Sequence, residues 1–200
     1  MPKIVDKALK RKEIAYIAMK LFAHRGYEKT SIREITSEAR MGKGTFYDYF
    51  KDKEDILNEI VHLLFAEWTV ILVEKLNGIK DPVAQLSVLL KEGAKLGDRF
   101  EQLMITYIDI WRRSVSQKEG GEFIKSFQYF LLNSKKAIAN IIEKAKAQGK
   151  IRKNIDSSVI ATVLLALIDG FCLHHMILRP NMDVDTISDS FFNTLMNGMK

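Results

Sequence analysis

The spacing of apolar residues is helical almost from one end of the chain to the other. No alternation of period two lasts long enough to make a strand, and prolines stand only at 2, 82 and 180, so the pattern predicts an all-α protein. Ile14, Ile17, Ala18, Leu21 and Phe22 share one face of a first helix over 7–25, which Gly26 ends as a C-cap. Ile32, Ile35 and Ala39 repeat the spacing on a shorter second helix that starts at Thr30 or Ser31, where Ser31 and Glu34 are placed for a reciprocal capping box. Gly42 and Gly44 then break the pattern and allow a sharp turn and a close approach to another surface. A third helix over 43–50 puts Phe46 and Phe50 on one face and Lys43 and Tyr47 on another. Ile14, Ala18, Leu21, Phe22, Ile32, Ile35, Ala39, Phe46 and Phe50 are the expected core of this three-helix unit.

Six further helices are expected. Asp52 caps a long one in which Ile56, Leu57, Ile60, Leu64, Trp68, Ile71 and Leu72 run towards Gly78; at 1.5 Å per residue it spans roughly 35 Å. Pro82 suits the first turn of the next, after Asp81, and that helix reaches 95 or 96 before Gly97. Others are expected over 98–115, over 122–148 between Gly120-Gly121 and Gly149, from 156 or 157 to 178 before Pro180, and from 183 or 184 to 197. No internal repeat or low-complexity tract appears.

Charge separates the two ends of the chain. Residues 1–53 hold 13 Lys/Arg against 7 Asp/Glu, and the remainder is balanced, so the whole net charge of +6 lies in the first quarter. A local basic surface of this kind attracts phosphate and makes affinity fall with salt. Cys172 is the only cysteine, which rules out an intrachain disulfide and points to a reducing, cytoplasmic setting. Residues 1–13 lack the apolar run of a secretory signal. The stretch 159–178 is apolar, but Asp169, His174 and His175 interrupt it at a high cost in lipid, so no membrane partner is expected.

Enzymatic motifs are lacking. Gly42-Lys43-Gly44 does not have the spacing of a phosphate loop, and Cys172 has no nucleophile signature around it. Adjacent His174 and His175 point about 100° apart on a helix and do not readily share an ion. No catalytic residue, metal or cofactor is expected.

The stretch 31–50, SIREITSEARMGKGTFYDYF, has instead the layout of a helix-turn-helix whose second helix reads DNA. Ile14, Ala18, Leu21, Phe22, Gly26, Thr30, Ile35, Ala39, Gly44, Phe46, Tyr47, Tyr49, Phe50, Lys53 and Leu57 resemble, in fixed register, the amino-terminal signature of the tetracycline-repressor (TetR) family of transcriptional regulators. LLALIDG at 164–170 is similar to the penultimate helix of many members. The resemblance implies a DNA-binding domain at 1–52, a helical ligand-binding and dimerisation domain at 53–200, and a homodimer. Thr36 stands where the family usually has alanine, Arg40-Met41 where it has Gly-Val, and Gly42 where it has a Ser or Thr cap, which removes a common phosphate contact that Arg40 could replace.

Double-stranded DNA is the expected partner, met by Thr30, Ser31, Arg40, Gly42, Lys43, Gly44, Thr45, Tyr47, Tyr49 and Lys53. Lys53 opposes the dipole at the start of its helix, which hints at an anion nearby, and the resemblance implies a phosphate there. A small apolar or amphipathic effector is expected among Phe65, Trp68, Met104, Tyr107, Ile108, Trp111, Phe127 and Phe130. Ala166 and Gly170 permit close backbone approach, and with Val163, Leu167, Phe171 and His174, and with Ile187, Phe191 and Leu195 on the last helix, they form the expected dimer face. Repression is the expected sign of control, with activation as the alternative. A helical adaptor would account for the dimer stripes but leave the basic, glycine-punctuated 31–50 stretch without a purpose.

Overall fold

Most helices of the computed structural model, which describes residues 6–96, 108, 122–178 and 183–200, begin where the sequence supplies an acceptor for their first free amides. Asp6 accepts from Ala8 and Leu9 at the start of α1 (Lys7–Arg25), which ends at Gly26 with φ 81°. Ser31 and Glu34 form the reciprocal box on α2 (Ile32–Glu38). Gly42 precedes α3 (Lys43–Tyr47) without any side-chain cap. Asp52 accepts from the Asp55 amide, 2.9 Å away, in the first turn of α4 (Lys53–Leu76). Asp81 caps α5 (Pro82–Ala94). α6 (Glu122–Ala147) follows, then α7 (Ser157–Leu178), whose first amides are taken by Asp156, and α8 (Val184–Met199), capped by Asp183. Among the described residues there is no strand. The helix expected over 98–115 lies outside the described residues.

One boundary differs. The helix expected to run to Phe50 ends at Tyr47, because the Asp48 and Tyr49 amides reach back only three residues, to Thr45 (3.2 Å) and Phe46 (2.9 Å). Such bonds tighten a last turn. The Phe50 amide still bonds the Phe46 carbonyl at 3.0 Å, so both rings stay on the inner face.

Described residues up to Glu67, with those between 102 and 129, form one compact unit; those between 68 and 101 and from 130 onward form a second. The first is centred on Ile14, Ala15, Ala18, Phe22, Ile35, Phe46 and Phe50, joined by Ile56, Leu57, Ile60 and Val61 of α4. Leu21 and Ile32, expected at its centre, are half-buried and pack against its margin. In the second unit, α5, α6, α7 and α8 pool Leu86, Leu90, Ile138, Ile142, Ala161, Leu164, Val184 and Met196. Gly93 of α5 lets α7 come close: a Cβ built there would lie 2.6 Å from the Ile168 side chain.

Carboxylates do much of the fastening, which makes the fold sensitive to acid. The pKa of Glu34 is lowered by hydrogen bonds from the Ser31 amide and hydroxyl and by Arg25. Asp81 is held down by Lys150 and the Val83 amide, Glu143 by Ser157 and Lys146, and Asp183 by Thr186. Each carboxylate therefore contributes stability above its unfolded pKa, near 4.5 for Glu and 3.8 for Asp, and loses it as pH falls through the lower folded value. Denaturant unfolding across a pH series is expected to show a plateau at neutral pH and a decline on acidification, with a shallower decline in Glu34→Gln.

Candidate nucleic-acid interface

The turn between α2 and α3 is fixed by its own backbone. Arg40 donates its amide to the Ser37 carbonyl at 3.1 Å and Met41 donates to Thr36 at 3.0 Å, the paired bonds that close a helix through a left-handed residue. Arg40 is that residue, with φ 49°. Thr36 fits in spite of being buried, because its hydroxyl donates to the Arg33 carbonyl at 3.0 Å.

Behind α3, Phe46 is fully buried and its ring meets those of Phe50 at 5.8 Å and Tyr47 at 5.3 Å. In front, Lys43, Gly44 and Thr45 are exposed, and Tyr47 is 51% exposed. Ser31, Arg40 and Gly42 are exposed beside them. Lys29 and Arg33, which sequence reasoning passed over, are exposed as well. Only their sign and their proximity to the motif could have marked them.

Two of the expected DNA contacts are placed otherwise. Thr30 is 1% exposed and its hydroxyl donates to the Gly26 carbonyl at 2.9 Å, so it locks the loop rather than facing outward. The Lys53 ammonium donates to the carbonyls of Tyr27 (2.7 Å), Thr30 (3.0 Å) and Glu28 (3.3 Å) and lies 4.3 Å from the centre of the Tyr27 ring. An ammonium has three N–H groups, and all three are taken. The anion-like partner anticipated from its awkward place at a helix start is this set of loop carbonyls. Tyr49 is half-buried against the first core, with its carbonyl turned to Arg11.

Arg11 is a further residue that sequence reasoning missed. Its guanidinium donates to Glu59 at 2.8 and 3.1 Å, to Asp55 at 3.3 Å and to the Tyr49 carbonyl, and it lies 4.2 Å from the centre of the Phe50 ring. Burial opposes its charge, but the bonds to Glu59 and Asp55 outweigh that and raise its pKa above the ordinary value. Asp55 also accepts from the Lys51 amide at 3.0 Å. Asp55 and Glu59 stand four apart on one helix face, and nothing local in the sequence points from them to Arg11.

Of the residues expected around an effector, Phe65 and Phe127 are brought together in the first unit, their rings 5.9 Å apart and 24° from parallel. Trp68 is buried and Phe130 half-buried in the second unit, and Ile108 is exposed. Met104, Tyr107 and Trp111 lie outside the described residues. Of the expected dimer face, Val163, Ala166, His174 and Ile187 are exposed, and Leu167, Gly170, Phe191 and Leu195 half-buried. Phe171 departs from that set: it is 6% exposed and belongs to the second core. Among the described residues no three or more His, Cys, Asp or Glu side chains cluster to hold a metal.

Comparison with known proteins agrees with this geometry. Residues 17–60 match the model of the bacterial regulatory proteins of the tetR family. The HTH-type transcriptional regulator YuxN of Bacillus subtilis is 40% identical over 84 residues, which cover 40% of this chain and 29% of that protein. The chain spans about a third of the length of the relatives it matches in this way. Two solved structures share the fold over nearly the whole chain. A transcriptional regulator of Saccharomonospora viridis in complex with choline has a TM-score of 0.80 at 24% identity, covering 95% of this chain and 96% of that one. FadR of Bacillus subtilis in complex with stearoyl-CoA has 0.78 at 20%, covering 94% and 99%. Residues 17–60 thus carry the amino-terminal domain of the tetR family of bacterial regulatory proteins.

The placement of Lys53 gives a test. Lys53→Met strips three carbonyls of their donor and is expected to cost about 1–3 kcal/mol in denaturant unfolding. The salt dependence of duplex binding should be unchanged, whereas a slope smaller by about 0.9 for each bound copy would return Lys53 to a phosphate.

Proposed function

We propose that the protein is a dimeric DNA-binding regulator, acting as a repressor and released from a two-fold symmetric operator by a small apolar or amphipathic molecule. The observation that carries this reading is α3: its apolar back is fully buried through Phe46, and its front offers Lys43, Thr45 and Tyr47 to solvent within the segment that holds the entire net charge. Amide, hydroxyl and ammonium donors on an exposed short helix suit the edges and phosphates of a major groove. In this reading residues 1–52 bind duplex DNA and 53–200 dimerise and receive the effector.

Dimerisation draws its support from apolar surface that one chain leaves uncovered. On α7, Val159 (55% exposed), Val163 (44%), Ala166, half-buried Gly170 and Leu173 (40%) recur at intervals of three and four, and Ile187 of α8 is 40% exposed as well. A seam of this spacing packs against a second helix pair. Among the described residues Gly170 has no neighbour within 4 Å of where a Cβ would stand, so none of them asks for glycine there. Close approach of a second copy does. Two-fold symmetry would then set two copies of α3 one turn of duplex apart.

The effector is inferred by chemistry. Choline, bound by one neighbour of the same fold, is a small cation; stearoyl-CoA, bound by another, joins an apolar chain to a charged head. An amphipathic molecule that prefers the conformation with lower DNA affinity would release the operator by that difference alone. Repression accounts for the family resemblance best; activation would use the same surfaces.

Selection from a pool of random duplexes tests the reading, with recovery of a two-fold symmetric site expected and an unenriched pool overturning it. On the selected site, Tyr47→Ala should weaken binding to every sequence, while Lys43→Ala and Thr45→Ala should also change the preferred bases. Gly170→Glu should fold with native helicity and sediment as a monomer; an unchanged dimer would remove Gly170 from the interface.

A further inference from the structure

We propose that Arg40 anchors a DNA phosphate from a backbone position that favours glycine, so that the chain exchanges folding stability for duplex affinity at this residue. The inference rests on the DNA-binding reading of α3 and names a contact outside that helix. Arg40 closes α2 with φ 49°, and every other described residue with positive φ is a glycine: Gly26, Gly78 and Gly149. A side chain in the left-handed region crowds the following carbonyl, a cost that glycine avoids. The turn does not relieve it, because both of its backbone bonds, Arg40 to Ser37 and Met41 to Thr36, require that conformation.

Among the described residues nothing compensates. Arg40 is exposed, and among the described residues its guanidinium enters no ion pair or hydrogen bond. The other arginines with such contacts show the contrast: Arg11 bonds Asp55 and Glu59, Arg25 pairs with Glu34, and Arg152 donates to the Gly198 carbonyl. Arg40 therefore holds a strained place with five free donors beside the exposed start of α3. A guanidinium matches a phosphate in two parallel hydrogen bonds. Gly42, which precedes Lys43 with no side-chain hydroxyl, cannot itself supply such a contact.

The two consequences have opposite signs, and neither alone would establish the exchange. Arg40→Gly should raise Tm by roughly 2–4 °C, the shift expected of relieving one strained residue in a chain of this size. With two copies of Arg40 on each two-fold site, it should also lower the slope of log affinity against log salt by about 1.8 and weaken binding about sixtyfold at 0.1 M salt, on a duplex selected by the wild-type protein from a random pool. Arg40→Asn, which tolerates the left-handed region without charge, should show the same weakening; Arg40→Lys should keep the slope. An Arg40→Gly protein no more stable than wild type, or one with an unchanged slope, overturns the proposal while leaving the DNA-binding reading intact. A wild-type protein that retains no duplex overturns both.

Discussion

The Arg11 guanidinium joins three parts of the first unit that are distant in sequence. It stands on α1, bonds Asp55 and Glu59 on α4, and takes the Tyr49 carbonyl and Phe50 ring that follow α3. Hydrogen bonds between charged groups are stronger than neutral ones and demand defined geometry. Its two carboxylates are a quarter exposed or less at the side chain, so water only partly screens them. The end of α3 is thereby referred to α1 and to the first turns of α4 together. Any movement of that part of α4 must carry the residues behind the exposed face or break this set of bonds, and that is the physical requirement for a regulator that couples an effector to DNA.

The elements whose rules are local were legible in the sequence. Ser31, Asp52, Asp81, Asp156 and Asp183 mark helix starts, Gly26 and Gly149 mark ends, and the apolar spacing chose the inner faces of α1 to α3. What escaped depended on partners far along the chain. Lys53 looked like a cation in want of an anion, and it meets carbonyls 23 to 26 residues away. Thr30 carried a hydroxyl at a helix start, which periodicity could not distinguish from Ser31; only tertiary packing turns one inward and the other out. Phe171 shared a stripe with Val163 and Gly170, yet it lies on the shoulder that faces the second core.

α4 and the α7 segment Ser157–His175 are long and apolar enough to cross a membrane by length and composition, with 28% and 33% of the relevant windows buried within the chain. For α7 the uncovered remainder is not uniform: Val159, Val163, Ala166, Gly170 and Leu173 keep one line, while Ala161, Leu164, Ile168 and Phe171 face inward. A lipid-facing helix has no need of such a line. A second protein surface does, because knobs and gaps must register along a single seam. Helix composition alone treats the two cases as equal, and the division of exposure between faces is what favours the dimer reading proposed above.

α3 is five residues long, has glycine at its N-cap and again at its second position, and lacks a side-chain cap. By its own propensity such a segment would not form, since isolated helices of even twelve to fifteen residues are marginal in water. It exists because Phe46 is drawn into the first core, Phe50 follows it, and the chain before and after is tied by the Thr36–Met41 bond and by Arg11. The reading surface is thus free of duties to its own stability. Lys43, Thr45 and Tyr47 need not be good helix formers or core fillers, and in the proposed reading their identities can answer to the duplex alone. The same division explains why a strained arginine is tolerable at the turn: the anchors that place α3 lie elsewhere, and the turn can be spent on contact.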